Sequence, residues 1–463
     1  MRIFIVTDYL EISIHHLAFI NCNELTSIIV DENNEVYDSR ENCNAIIETE
    51  TNTLVVVCRN TTIPSTVERI GEYAYFENYN ISYFEVPANI ISIEKFAFCS
   101  CWNLNEITFE SGSKLESIGD LAFANCYDLK EIEIPASVTS IGENAFLNCN
   151  NLEKVTFASG SKLESIGDYA FSNCYNLKEI EIPSNVISIG ENAFTGCHEL
   201  TSIIVDENNK VYDSRENCNA IIETESNTLI AGCQATLIPT SVTSIGDYAF
   251  SNCYNLKEIE IPTSVISIGE SAFHATGLKS ILIPSSVISI GENAFTGCRE
   301  LTSIIVDENN KVYDSRENCN AIIETESNTL IAGCQATLIP TSVTSIGDYA
   351  FAECGEDLTS ITISSNITSI GNYAFASCWN LSEVNFESNS QLVSIGNFAF
   401  VYCSSLTRIE IPTSVTSIGE EAFYMYEFYN YKLTIYSSLA EKPEGWHENW
   451  CAGNCVVIFG TQK

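Results

Sequence analysis

The chain has 463 residues, with 21 Lys plus Arg against 61 Asp plus Glu, a formal net charge of −40 and 20 Cys. That charge excludes nucleic acid and anionic membrane surfaces as partners, since both need a basic footprint. The 45% hydrophobic content excludes a disordered acidic tail. Length alone suggests about three ordinary domains.

At the N-terminus, the apolar run in MRIFIVTDYLEIS stops at Asp8 and Glu11 without a small-residue cleavage site, so it does not read as a signal peptide. A truncated start is the alternative, because a repeat is already running by Ile14. No stretch approaches the ~20 apolar residues of a membrane span, and no membrane insertion is expected.

From Ile14 onward a motif recurs: Ile-Gly-x-x-Ala-Phe-x-x-Cys-x-x-Leu-x-x-Ile-x-Ile-Pro-x-x-Val-x-Ser. A clean copy opens at Ile118 and runs through Gly119, Ala122, Phe123, Cys126, Leu129, Ile132, Ile134, Pro135 and Val138. The opening Ile recurs at 14, 70, 93, 118, 141, 166, 189, 245, 268, 290, 346, 370, 395 and 418, mostly 23 to 25 residues apart, with three gaps of 56. A fixed period in this range marks a solenoid. The three-domain estimate therefore gives way to one solenoid of about fourteen coils over residues 1–432, with a capping coil over 433–463.

Within a coil, Leu-x-x-Ile-x-Ile alternates as a strand with its apolar side inward. Pro135 and its equivalents end that strand, because proline cannot donate to a ladder. Val138 and Ile141 form a second inward row, and Gly119 and its equivalents allow a sharp bend. An acidic residue often follows, as at Asp168 and Glu191, where a carboxylate suits the start of a short helical turn. Ala and Phe of that turn pack inside, and stacked coils share one continuous core. The expected fold is thus a β-rich repeat solenoid, with a parallel β-sheet on one face, short strands and helical turns on the other, and inserted β-hairpins.

The insertions lie near 30–62, 205–237 and 306–338. Each reads as a hairpin, two apolar runs around a polar turn, and carries a Cys pair: Cys43 with Cys58, Cys218 with Cys233, Cys319 with Cys334. Packed free thiols are expected there, with a hairpin disulfide as the alternative. Ala193 to Phe250 and Ala294 to Phe351 differ only at His198 against Arg299, a recent duplication.

Eleven further cysteines lie eight residues after the opening Ile: Cys22, Cys101, Cys126, Cys149, Cys174, Cys197, Cys253, Cys298, Cys354, Cys378 and Cys403. Asn78, Thr276 and Tyr426 replace them in the other coils. The position takes a small, weakly polar group bonding the backbone at a bend, which makes a ladder of buried thiols rather than a metal site. Cys451 and Cys455 follow His447 at a spacing that suits zinc poorly.

Chemistry-bearing motifs are missing. The five His (His15, His16, His198, His274, His447) fall in no HExxH, and there is no GxSxG, Walker A or GxGxxG. No catalytic residue, metal or cofactor is expected. The Asp-Glu-Asn-Asn runs at Asp31, Asp206 and Asp307 lack the Gly and closing Glu of an EF-hand and read as solvated turns.

The outward strand positions form columns. One reads Glu106, Glu131, Lys154, Glu179, Ser202; its neighbour reads Thr108, Glu133, Thr156, Glu181, Ile204; a third holds Lys130, Glu153 and Lys178. Opposite charges side by side are expected to help modestly. The same face carries Tyr83, Glu258, Glu260, Leu282, Ile305, Arg408 and Glu410. A long regular face of this kind is what solenoids use to bind proteins.

These motifs resemble the BspA-like branch of the leucine-rich repeats, in which Cys stands where other branches carry Asn. The segment Leu433 to Gly460, with Trp446 and Trp450, resembles the terminal coil of bacterial members. The resemblance implies a protein-binding role in cell-surface adhesion, with a host or partner-cell surface or matrix protein as ligand; a non-enzymatic monomer is expected. An intracellular scaffold, or a calcium-dependent surface or glycan-binding protein, are the alternatives.

Overall fold

The computed structural model describes residues 2–5, 14, 16–20, 22, 24–425 and 432–460. His15 and Tyr426 lie outside them. Backbone contacts divide the chain into two compact units, Met1–Glu225 with Ala231–Thr236, and Ser226–Ile230 with Leu237–Lys463.

Most coils contribute two strands. In the first unit, the Ser-Ile strands Ser92–Ile93, Ser117–Ile118, Ser140–Ile141, Ser165–Ile166 and Ser188–Ile189 pair in parallel, Ser to Ser and Ile to Ile. The longer strands Glu131–Ile134, Lys154–Phe157, Glu179–Ile182 and Ser202–Val205 form a second parallel sheet. Alternation works as the pattern predicts. Ile132, Ile134, Ile180 and Ile182 are buried, while Glu131, Glu133, Glu179 and Glu181 are exposed. In the second unit, Ser280–Ile283 pairs with Ser303–Val306, and Ser360–Ile363 with Glu383–Phe386.

Between the sheets runs a column of Phe rings. In the first unit Phe98, Phe123, Phe146, Phe171 and Phe194 stack face to face with centroids 5.1–5.7 Å apart. The second unit has two such runs, Phe250–Phe273–Phe295 and Phe351–Phe375–Phe400–Phe423.

The segments that carry these rings are not helical turns. N–H groups alternate in use: Ala122 and Ala124 donate three residues back to Gly119 and Leu121, while Leu121, Phe123 and Asn125 donate to Glu143, Ala145 and Leu147 of the next coil. Leu121 (φ 54°) and Asn125 (φ 60°) are left-handed to allow this. A helix would spend every N–H within its own coil, so the alternation couples the coils instead. The acidic residue after Gly accordingly serves the neighbouring coil. Asp120 and Asp168 accept the N–H of Glu143 and Glu191 at 3.0 and 2.9 Å. The glycine itself is needed for proximity rather than for its bend. A Cβ on Gly142 would stand 2.6 Å from the backbone N of Asp120 and the carbonyl carbon of Gly119.

The thiol ladder packs as a backbone partner. Cys126, Cys149, Cys174 and Cys197 are buried and donate S–H to the carbonyls of Phe98, Phe123, Phe146 and Phe171 in the preceding coil, at 3.2–3.4 Å. Cys378 and Cys403 repeat this on Phe351 and Phe375. Two members depart from expectation: Cys22 is exposed and Cys354 half-buried. The hairpin cysteines are free, with Cys233 and Cys334 donating to Asn219 and Asn320 across the hairpin rather than bonding Cys218 and Cys319. Cys451 and Cys455 form a disulfide that the spacing argument missed. Nearby, Trp446 and Trp450 are 1% and 4% exposed, and the Trp446 indole donates to the carbonyl of Val415, so the two rings close the core here.

The hairpins cap open sheet edges. Ile189 and Ile290 each donate their N–H at 3.2 Å to a tyrosine hydroxyl, Tyr212 and Tyr313, carried by the following insertion. Ile14 and Tyr37 repeat the contact at 3.1 Å. An unpaired edge strand invites another chain, and the phenol satisfies its leading N–H. Burial pushes the Tyr212 and Tyr313 hydroxyls above the usual phenol range.

Candidate functional site

The strand face of the first unit brings the expected residues together. Register places Glu131 opposite Lys154 and Glu133 opposite Thr156; Lys154 opposite Glu179; and Glu179 and Glu181 opposite Ser202 and Ile204. The first coils form a separate pair: Tyr83 faces Glu106 and Glu85 faces Thr108, and the Tyr83 hydroxyl meets Thr108 Oγ1 at 3.0 Å. Glu106 and Glu131 are in separate sheets among the described residues, although the Lys130 N–H donates to the Asn105 carbonyl at 3.3 Å and keeps the offset the columns imply.

Lys154 stands between two glutamates, yet no ion pair among the described residues includes it. The register sets strand-to-strand spacing, but four-residue strands leave these side chains free to point into solvent. The pairing occurs one column over, where Lys178 Nζ sits 2.5 Å from Glu153 and holds that carboxyl below the usual range by hydrogen bond and charge. The face is thus acid-rich with unspent charge. A groove of about 810 Å³ follows it, lined by Glu106, Glu131, Glu133, Lys154 and the loop Glu110–Ser113. A second, of about 480 Å³, is lined by Glu179, Glu181, Ile204 and Asp206.

The second unit distributes its residues differently. Leu282 and Ile305 lie directly opposite each other, 53% and 51% exposed, forming an apolar pair on the strand face. Arg408 pairs in register with Thr434 and packs its guanidinium 4.0 Å from the Tyr436 ring, while Glu410 faces Tyr436 and is half-buried. Glu258 and Glu260 are exposed, but their segment forms no strand, so they do not join a column as expected.

Six copies of the repeat described as "BspA type Leucine rich repeat region" match residues 45–161, 116–224, 230–328 and 329–441. The chain belongs to the BspA-type leucine-rich repeat family. This BspA-type chain is similar to a leucine rich cell surface protein from Faecalibacterium prausnitzii, with 24% identity, a TM-score of 0.47, and 93% and 94% of the two chains covered. It is also similar to the pneumococcal vaccine antigen PcpA, with 21% identity, a TM-score of 0.48, and 89% and 93% covered. A leucine-rich repeat protein from Bacteroides ovatus matches at 23% identity and a TM-score of 0.39, with 91% and 97% covered. No curated protein matches the chain.

In this BspA-type fold a further surface row went unread in the sequence. The residue after the ladder Cys is often aromatic, and Tyr79, Trp102 and Tyr127 follow one another with centroids 4.8 and 6.3 Å apart. Tyr175 stacks on His198 at 4.7 Å. Where the duplicate carries Arg299 instead, the guanidinium lies 4.5 Å from the Trp379 ring and 3.1 Å from Glu353. The fixed offset from Cys was the available signal. The Asp206 and Asp307 carboxylates are engaged as turn caps, each accepting the N–H two residues on at 2.8 Å. No helix among the described residues is long and apolar enough to cross a membrane.

Proposed function

We propose that this chain is a non-enzymatic protein-binding repeat protein of a cell surface or secreted compartment, acting as a monomer in adhesion to host, partner-cell or matrix proteins. The leucine-rich repeat fold is in general a protein-interaction scaffold. The observation that carries the reading to this chain is the face on which Glu131, Lys154 and Glu179 follow in register, with Glu133 opposite Thr156 and Glu181 opposite Ile204, and whose charges form no ion pair with one another among the described residues. Unpaired carboxylates on a regular sheet suit a partner with a basic surface and steer its approach. The surface and antigen descriptions of the similar proteins agree with this compartment.

The test is capture from host-cell and matrix extracts by the immobilised chain, against a variant with Glu131, Glu133, Glu179 and Glu181 changed to Lys. Retained protein should be lost on the variant and should fall with added salt. Equal retention by both would remove the strand face as the site. Protease treatment of intact cells tests the compartment; a fully protected chain contradicts it.

A further inference from the structure

The alternating turn ladder has a gap at one place within the second unit. Ser271, Phe273 and Ala275 donate N–H to the carbonyls of Glu292, Ala294 and Thr296 at 2.8–2.9 Å, and after the insertion Tyr349 and Phe351 donate onward to Asn372 and Ala374 at 2.9 and 2.7 Å. The turn at 291–297 stands between these series. Its next donors are the N–H groups of Asn293 and Phe295, and neither has a hydrogen-bond partner among the described residues, while Gly297 reaches the Ala352 carbonyl only at 3.4 Å.

The inserted hairpin causes this. Its strand Thr329–Gly333 pairs with the following coil in place of the turn, and Gly333 donates to Ala350 at 2.8 Å. Gly333 lies flat on Phe351, so close that a Cβ would stand 2.6 and 2.8 Å from two ring carbons. The Phe column accordingly stops at Phe295 and restarts at Phe351. Between turn and hairpin remains a cleft of about 330 Å³.

The chemistry of the cleft is specific. Two donors at i and i+2 on one edge call for two acceptors at i and i+2, as Glu292 and Ala294 supply to the turn before. Extended backbone presents carbonyls in that way. The walls include Ala294, Gly297, Ala332 and Gly333, small enough to admit a main chain. The lining also holds Glu292, Glu324 and Asp348 beside Tyr349, and it contains no Lys or Arg. Neutral donors inside and carboxylates beside an aromatic ring favour a cationic side chain on the incoming segment.

We propose that this cleft binds a short extended peptide segment bearing a basic side chain, its carbonyls continuing the turn ladder from Asn293 and Phe295. The site is separate from the strand face and does not depend on that reading.

The test uses the full chain and the labelled peptide acetyl-Val-Lys-Val-Thr-amide, followed by anisotropy and by hydrogen-exchange mass spectrometry. Fragments that include Arg299 report this turn alone, because the duplicated copy carries His198. Saturable binding with slowed exchange of the 291–297 amides is expected. Glu292→Lys, at an exposed position, should weaken binding by at least about tenfold, as loss of a charge-assisted contact does. Ala332→Met, which fills the cleft from the hairpin side, should abolish it, and an unchanged melting curve for each variant shows that folding is intact. Three results overturn the proposal: no saturable binding, binding without protection of 291–297, or equal displacement by spermidine, which has the charge but no carbonyls.

Discussion

The end of the Phe column at the insertion allows a controlled test of what the column contributes. Phe273 is 0% exposed and lies between Phe250 at 5.2 Å and Phe295 at 5.5 Å. Phe295, one coil on, is 5% exposed and has Phe273 as its ring partner, with the hairpin on its other side. Truncating a buried Phe to Ala costs about 3–5 kcal/mol from lost transfer energy and the cavity left behind. A stacked aromatic pair adds about 0.5–1.5 kcal/mol beyond area. Phe273→Ala removes two such pairs and Phe295→Ala one. The first should therefore cost about 1 kcal/mol more than the second, in adjacent coils of one unit. Because repeats contribute nearly additively through their neighbours, the loss is read locally, by native-state hydrogen exchange of residues 268–276 and 290–298, with urea unfolding as the global check. If Phe295→Ala costs as much as Phe273→Ala or more, ring-on-ring stacking is not what the column supplies.

Other consequences are equally direct. Tyr313→Phe leaves the Ile290 N–H without its acceptor and should destabilise by about 1–3 kcal/mol, seen as faster exchange of the Ile290 amide. Gly142→Ala drives a Cβ into the backbone of residues 119–120 at 2.6 Å and should cost about 1–3 kcal/mol, whereas a Cβ at Gly112, with nothing within 4 Å, meets only its positive φ; thermal melts of the two should separate clearly. Without reductant the unfolded chain should titrate 18 thiols, and the folded chain only Cys22 quickly and Cys354 more slowly. Burial pushes the Cys197 and Cys403 thiols up from 9.0 to about 12. Unfolded thiols thus ionise first, so stability is complete below pH 9 and is lost as pH rises toward 12; urea midpoints that stay flat over this range would contradict the buried-thiol ladder.

Much of the strand face was legible in the sequence, because a fixed period with in-register stacking determines which residues meet. Glu131, Lys154 and Glu179 fall in line for that reason alone. The inward Ile rows and the Cys positions follow from the same rule. What the pattern hid depends on where the period is interrupted or on which atom a group finally bonds. Glu258 and Glu260 carry the strand motif but form no strand, since a parallel strand needs a paired neighbour as well as alternation. Asp168 reads as a helix-start residue from the repeat pattern, but its acceptor role lies 23 residues away on Glu191. The Cys451–Cys455 bond stands outside the repeat, so no column predicts it. The cleft beside the hairpin arises from the missing partners of Asn293 and Phe295, and a missing partner leaves no residue to read.

The tyrosine cap bears on how such a chain can grow. The duplicated stretch runs from Val186 and again from Val287, so each copy holds both the Ile189 or Ile290 N–H and the Tyr212 or Tyr313 hydroxyl that receives it. The contact is to a main-chain amide, which every coil offers at the same place whatever its side chains. A copied block therefore arrives with its hairpin contact complete, and that contact needs no matched mutation in a new neighbour. Gene-level slippage can then alter the chain's length in whole blocks while folding is preserved, leaving the half-buried His198 and the exposed Arg299 free to diverge.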